Sequence, residues 1–209
     1  MRLVLASNNA KKLAELQGLL AGLPLQLLSQ RELAISEAEE PHLTFLENAL
    51  AKARHAAQAS GLPAIADDSG LCVDSLGGAP GVISAHYAPT PVVDGDREAL
   101  RRAQDAANNA LLLQRLAGSD DRRAAFVSTL VAVRHAQDPQ PLVAFGRWSG
   151  EILREPRGAG GFGYDPLLFI AELGATVAEI DAATKNRLSH RAQAMARMRA
   201  LLQDAWQLA

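Results

Sequence analysis

The sequence predicts an α/β fold, a mixed sheet flanked by helices with a cleft between two lobes. Three observations point there. Short apolar runs that read as strands are interleaved with amphipathic helical stretches. Their order lacks the strict βαβ alternation of a doubly wound sheet. Two long stretches, 123–135 and 141–152, read as an antiparallel ribbon with Asp138-Pro139 at its turn.

Taken in order, residues 2–6 form an apolar run ending in polar Ser7-Asn8-Asn9, a buried strand followed by three good N-caps. Leu13, Leu16 and Leu20 recur at i, i+3 and i+7, an amphipathic helix stopped at Gly22 or Pro24. A second strand is expected near 25–29. An acidic loop at 37–41 precedes Thr44, which opens a helix in a capping box with Glu47. Phe45, Ala49, Ala53 and Ala56 line its inner face, and Gly61 with Pro63 ends it. Residues 64–66 read as a short strand that stops at Asp67-Asp68-Ser69-Gly70. Turns at 77–81 and a loop at 89–95 lead to a long polar helix at 97–116, ended by Gly118. Residues 167–170 are another strand. Ser189 caps a last helix with Ala192, Met195, Met198 or Arg199, and Leu202 on one side.

Composition narrows the function. The chain of 209 residues fits a single domain, 1–209, and its 48% apolar content supports a real core. A formal charge of −2 argues against a general nucleic-acid binder, so any anionic ligand must be met by a local positive cluster. The single cysteine, Cys72, excludes an internal disulfide and a thiolate zinc site. No apolar run is long enough to span a membrane, and the opening residues are too short for a signal-peptide core. A reducing cytoplasm is the expected setting.

Four stretches carry candidate chemistry. Ser7, Asn8, Asn9, Ala10, Lys11 and Lys12 place hydroxyl and amide caps, helix N-terminal amides and lysines just after a strand, a plausible triphosphate grip. An ordinary capped helix with solvated lysines fits the same residues and, alone, fits better. No Gly-rich Walker loop is present, which excludes a P-loop enzyme. Asp67 and Asp68 offer hard oxygens suited to Mg²⁺, with Ser69 beside them, although Asp-Asp-Ser-Gly reads equally as a turn. Glu39 and Glu40 could add an oxygen to the same metal. The stretch from Gly158 to Asp165 packs four glycines into its first six residues and carries Phe162 and Tyr164 around Gly163. An aromatic ring in a Gly frame suits stacking on a nucleobase, and a core-anchored tight loop fits equally. Lys185 and Ser189-His190-Arg191 could meet phosphate, ribose or base oxygens.

Six motifs occur in order: Ser7-x-Asn9-x-x-Lys12, Thr44-Phe45-Leu46-Glu47-Asn48-Ala49, Ala66-Asp67-Asp68-Ser69-Gly70-Leu71, Gly77-Gly78-Ala79-Pro80-Gly81, Gly160-Gly161-Phe162-Gly163-Tyr164-Asp165-Pro166 and Ser189-His190-Arg191. In this order the chain resembles the inosine triphosphate pyrophosphatase family, the XTP/dITP pyrophosphatases, from about residue 3 to residue 200. The resemblance implies an elongated mixed sheet around a central active-site cleft. It also implies Mg²⁺-dependent cleavage of dITP, ITP and XTP to monophosphate and pyrophosphate by a homodimer. By motif position, Asp68 matches the catalytic base and a metal ligand, with Asp67 beside it. Glu40 matches the other metal ligand, with Glu39 the alternative. Ser7 to Lys12 match a phosphate grip, and Lys52 and Ser69 match further substrate contacts. Phe162, Gly163, Tyr164, Asp165, Lys185, His190 and Arg191 match the base and sugar pocket. His86 stands where the family more often shows Arg. The stretch 89–121 carries no family motif.

Two rivals differ from this reading. Septum-inhibition-type nucleotide pyrophosphatases typically show Ser-Pro-Arg-Arg where this chain has Asn9-Ala10-Lys11-Lys12, and they lack the 160–166 loop. A catalytically silent nucleotide-binding regulator would gain nothing from the acids Glu40, Asp67 and Asp68 without a metal.

Overall fold

The computed structural model describes residues 1–7, 14, 16–18, 20, 22–92 and 96–208. Among them, seven strands form one sheet: β1 (Arg2–Leu5), β2 (Gln26–Ser29), β3 (Ala64–Val73), β4 (Arg123–Val133), β5 (Leu142–Ile152), β6 (Leu168–Ile170) and β7 (Ala175–Thr176). Their order is β2-β1-β3-β4-β5-β6-β7. β1 runs parallel to β2 and β3, whereas β6 runs antiparallel to β5 and β7, so the sheet is mixed as expected. The α-helices whose bounds fall among the described residues are α1 (Phe45–Ser60), α2 (Arg97–Arg115), α3 (Ala182–Leu188) and α4 (His190–Trp206). None of the described helices is long and apolar enough to cross a membrane.

The chain divides into two compact units. The first holds Met1–Ser69, Ser128–Arg147 and Asn186–Ala209; the second holds Gly70–Val127 and Trp148–Lys185. In the first unit the period of two along each strand sorts side chains onto two faces. Leu3, Leu5, Ile65, Leu130 and Ala132 join Leu16, Leu20 and the α4 residues Ala194, Met195, Met198 and Leu202 in one cluster. Val4, Ala6, Ala64, Ala66, Val131 and Val133 join Ala49, Ala53, Ala56 and Ala57 of α1 in the other. Alanine at four inward positions of α1 brings that helix close against the strands. Thr44 starts α1 as the capping box predicts: its Oγ1 accepts from the Glu47 amide at 3.2 Å and donates to Glu47 Oε2 at 2.7 Å.

In the second unit α2 is capped by Asp96, whose carboxylate accepts from the Ala99 amide at 2.8 Å. Its buried Gln104 and Asn108 hold the chain at 84–88: Asn108 accepts from the Ala88 amide and donates to Ser84 O and Ala85 O, while Gln104 donates to Ala88 O.

Two elements differ from expectation. Asp67-Asp68-Ser69-Gly70 is no turn; it lies within β3, which continues to Val73. Four turn-forming residues remain extended as β3 runs on beside β4, where a distant side chain from each of β4 and α4 binds Asp67. Lys185 does precede the last helix, but within a separate short helix, α3, that the local pattern does not announce. The Leu13 position of the first amphipathic stretch lies outside the described residues, and Leu16 and Leu20 are helical and buried as expected.

Candidate active site

Strand alternation decides what each acid of β3 can do. Ile65 lies on the α4 face and Ala66 on the α1 face, so Asp67 and Asp68 point to opposite faces. They cannot chelate one metal as neighbours. The hydrogen bonds follow this alternation. Asp68 Oδ1 accepts from Lys52 Nζ of α1 at 2.8 Å, and the same Nζ donates to Glu40 Oε2 at 2.8 Å. Two carboxylates from separate segments therefore converge on one cation. Burial works against the Lys52 ammonium, yet the Asp68 and Glu40 carboxylates outweigh it and hold its pKa above the ordinary lysine value. Lys52 stays charged throughout the neutral range.

Glu40 is placed by a residue that the sequence reading did not single out. Asn48, buried on α1, accepts from the His42 amide at 3.1 Å and donates to His42 O at 3.3 Å. Both groups of His42 are held, two residues after Glu40. His55 Nε2 lies 2.9 Å from Ser36 O and ties down the loop's other end. Of the two candidate glutamates, Glu40 is the one whose carboxylate meets Lys52.

On the opposite face Asp67 forms a buried network. Its Oδ1 accepts from Ser128 Oγ at 2.6 Å, and its Oδ2 accepts from Ser69 Oγ at 2.9 Å. Arg191 Nε lies 3.5 Å from Asp67 Oδ2, and Arg191 Nη2 donates to Ser69 Oγ at 3.0 Å. The Arg191 and Asp67 side chains are 5% and 0% exposed, so this pair is screened little by water. His190 opens α4 beside it and is buried. A Cβ on Gly146 would stand 1.8 Å from His190 O, so only glycine lets β5 and this end of α4 approach so closely.

The Gly-rich stretch belongs to the second unit. Asp165 Oδ2 accepts from the Phe162 amide at 2.8 Å and from Lys185 Nζ at 2.6 Å. That Nζ sits 4.7 Å from the centre of the half-buried Phe162 ring, a cation–π contact. Gly161, at φ +74°, is obligatory here, because a Cβ would lie 2.0 Å from Asp165 Oδ2. Tyr164 is buried and its hydroxyl donates to Ser84 O at 2.9 Å. Burial, with Tyr87 and Asp105 nearby, pushes its phenol well above the usual range. The tyrosine anchors the loop, and the phenylalanine is the ring left at partial exposure.

In the first unit the structure brings Glu40, Lys52 and Asp68 together on one face of β3 and Ser69 and Arg191 together on the other, with His190 beside Arg191; Phe162, Gly163, Tyr164, Asp165 and Lys185 lie in the second unit. Ser7 follows β1. Asn8, Asn9, Ala10, Lys11 and Lys12 lie outside the described residues. Exposed His86 ends a 3₁₀ turn at Gly81–His86. The sequence assigns no role to Ser128, Asp105 or Asn109, and shows Asn48 only as a member of the Thr44–Ala49 motif. The available signal was an amide or acid at a helical position whose neighbours one turn away are also polar, as in Asp105 and Asn109.

The donor set fits a hard divalent cation. Among the described residues no three His, Cys, Asp or Glu side chains form a metal cluster. Two converging carboxylates match the habit of Mg²⁺, which takes one or two of them and completes its shell with water and substrate phosphates.

Comparison with known proteins agrees with the motif resemblance. A dITP/XTP pyrophosphatase of Methylibium petroleiphilum is 68% identical over 206 residues, covering 99% of each chain. Another, from Leptothrix cholodnii, is 68% identical over the full length of both. A HAM1 protein from Coxiella burnetii superposes with a TM-score of 0.88 at 42% identity, covering 98% of this chain and 99% of that one. The model of the Ham1 family matches residues 3–201, and this chain belongs to that family.

Proposed function

We propose that this chain hydrolyses non-canonical purine nucleoside triphosphates, dITP, ITP and XTP, to the monophosphate and pyrophosphate, with residues 1–209 acting as one catalytic domain. The observation that carries this reading is the meeting of Glu40 and Asp68 at one cation position, 2.8 Å from each carboxylate. The names of the relatives supply the substrate class.

Glu40 and Asp68 would hold Mg²⁺, which when bound neutralises phosphate charge and polarises the phosphorus. Asp68 takes the proton of the attacking water. Lys52 balances the two carboxylates and offers its remaining donor capacity to phosphate oxygens. Ser7 and the segment through Lys12 grip the outer phosphates. By motif position, Phe162 is assigned to stack on the base, and Lys185, His190 and Arg191 to its oxygens and the sugar. The 6-oxo group of hypoxanthine or xanthine accepts hydrogen bonds, whereas the 6-amino group of adenine donates, so a pocket of donors rejects adenine. A homodimer and a cytoplasmic setting belong to the same reading, supported by the motif resemblance and the single thiol of Cys72.

Turnover of ITP with Mg²⁺ tests this. IMP and pyrophosphate are expected, with ATP a poor substrate and EDTA abolishing activity until Mg²⁺ is restored. Binding of ITP without turnover would show a nucleotide-binding regulator instead. Turnover persisting in metal-free protein would remove the cation from the account.

A further inference from the structure

We infer that Asp105 and Asn109 of α2 are positioning residues that fix the Phe162 ring for base recognition, by clamping the backbone on both sides of Gly163. The inference rests on the reading of Phe162 as the base-stacking ring. It concerns a helix in which the sequence offers no functional motif.

Asp105 and Asn109 lie four residues apart and so share one face of α2. Asp105 Oδ2 accepts from the Gly163 amide at 2.9 Å. Asn109 Nδ2 donates to Gly163 O at 3.0 Å. The first bond fixes the peptide joining Phe162 to Gly163, and the second fixes the next. Asp165 already fixes the preceding peptide through the Phe162 amide. Both peptide planes around Phe162 are therefore held, which sets the direction of its Cα–Cβ bond. Lys185 then sets the ring itself.

The surroundings show why a clamp is required. Glycines occupy 158, 160, 161 and 163, and Gly163 is in the left-handed region at φ +60°. Such a frame has more backbone freedom to lose than any other sequence. A carboxylate accepting an amide proton is the stronger kind of hydrogen bond, which suits a single anchor in a loose loop. The anchor is itself rigid: Gln104 and Asn108, on the adjacent stripe of α2, hold 84–88, and Tyr164 reaches the same Ser84 carbonyl. Helix, strap and loop form one hydrogen-bonded block within the second unit. A side chain that acts through Phe162 affects only substrates bearing a base.

The test compares Asp105→Ala, Asp105→Asn, Asn109→Ala, Phe162→Ala and the double variant Asp105→Ala/Phe162→Ala on ITP and on ribose 5-triphosphate, which has no base. Loss of one stacking contact is expected to raise the ITP KM about fivefold or more in Asp105→Ala and in Asn109→Ala, with kcat nearly unchanged. The kcat/KM for ribose 5-triphosphate should be the same in Asp105→Ala and Asn109→Ala as in the parent. Asp105→Asn keeps an acceptor oxygen and should restore most of the ITP affinity. Adding Asp105→Ala to Phe162→Ala should cost nothing more, the sign of residues acting as one unit. If Phe162→Ala leaves the ITP KM unchanged, the stacking reading fails and takes the clamp with it. If Phe162→Ala raises KM but neither α2 variant does, or if those variants impair both substrates equally, the clamp alone is overturned. Should Asp105→Ala fail to fold, Asn109→Ala, which removes one part-buried hydrogen bond to the Gly163 carbonyl, carries the same comparison.

Discussion

Replacing Asp68 with asparagine is expected to cut ITP turnover by a factor of about 10²–10⁴, the usual contribution of a general base. The fold should survive. The amide oxygen can still accept the Lys52 bond that Oδ1 accepts at 2.8 Å. The side chain keeps its shape in a buried place, and Glu40 remains to balance Lys52. What disappears is the proton acceptor and one of the two negative charges at the cation position. Steady-state kinetics on protein with unchanged circular dichroism gives the answer. A folded Asp68→Asn chain with kcat close to the parent would remove Asp68 as the base.

The second large effect lies on the other face of the same strand and is one of stability. Asp67→Ala leaves the Arg191 guanidinium buried at 5% exposure without its carboxylate, and strips Ser128 and Ser69 of their acceptor. Removing one partner of a buried ion pair costs about 3–5 kcal/mol. That is a large share of the roughly 5–15 kcal/mol that holds a typical domain together. Asp67→Ala/Arg191→Met removes both charges, and part of the loss should return because no ion is left stranded. Urea unfolding of the three proteins measures this. A loss below about 1 kcal/mol in Asp67→Ala would place the pair among ordinary surface contacts.

Adjacent acids in sequence thus do separate work. The pair Asp67-Asp68 reads as a shared metal site or as a turn from its residue types alone, and it is neither. The alternation of β3 separates the two side chains, and that alternation is set by strand partners far away in sequence. Ser128 is 61 residues and Arg191 is 124 residues from Asp67, so no local pattern announces them. By contrast, α1 was legible from Thr44 to Gly61, because its capping box, inner alanines and terminal glycine are all local signals. The last helix was legible for the same reason, with Ser189 accepting from the Ala192 amide at 3.2 Å. Short α3 and two-residue β7 carry too few side chains to show a period. The work of α2 was hidden in a different way. Its polar residues look like a solvated face until the loop that they hold is brought against them.

In the proposed reaction, water activated at Asp68 attacks the α-phosphorus, so that the base-bearing product leaves as a monophosphate and the outer phosphates leave together. Turnover of ITP in ¹⁸O-labelled water, followed by mass spectrometry of both products, tests it most directly. Label is expected in IMP and none in pyrophosphate. Label in pyrophosphate, or IDP and orthophosphate as the first products, would contradict it.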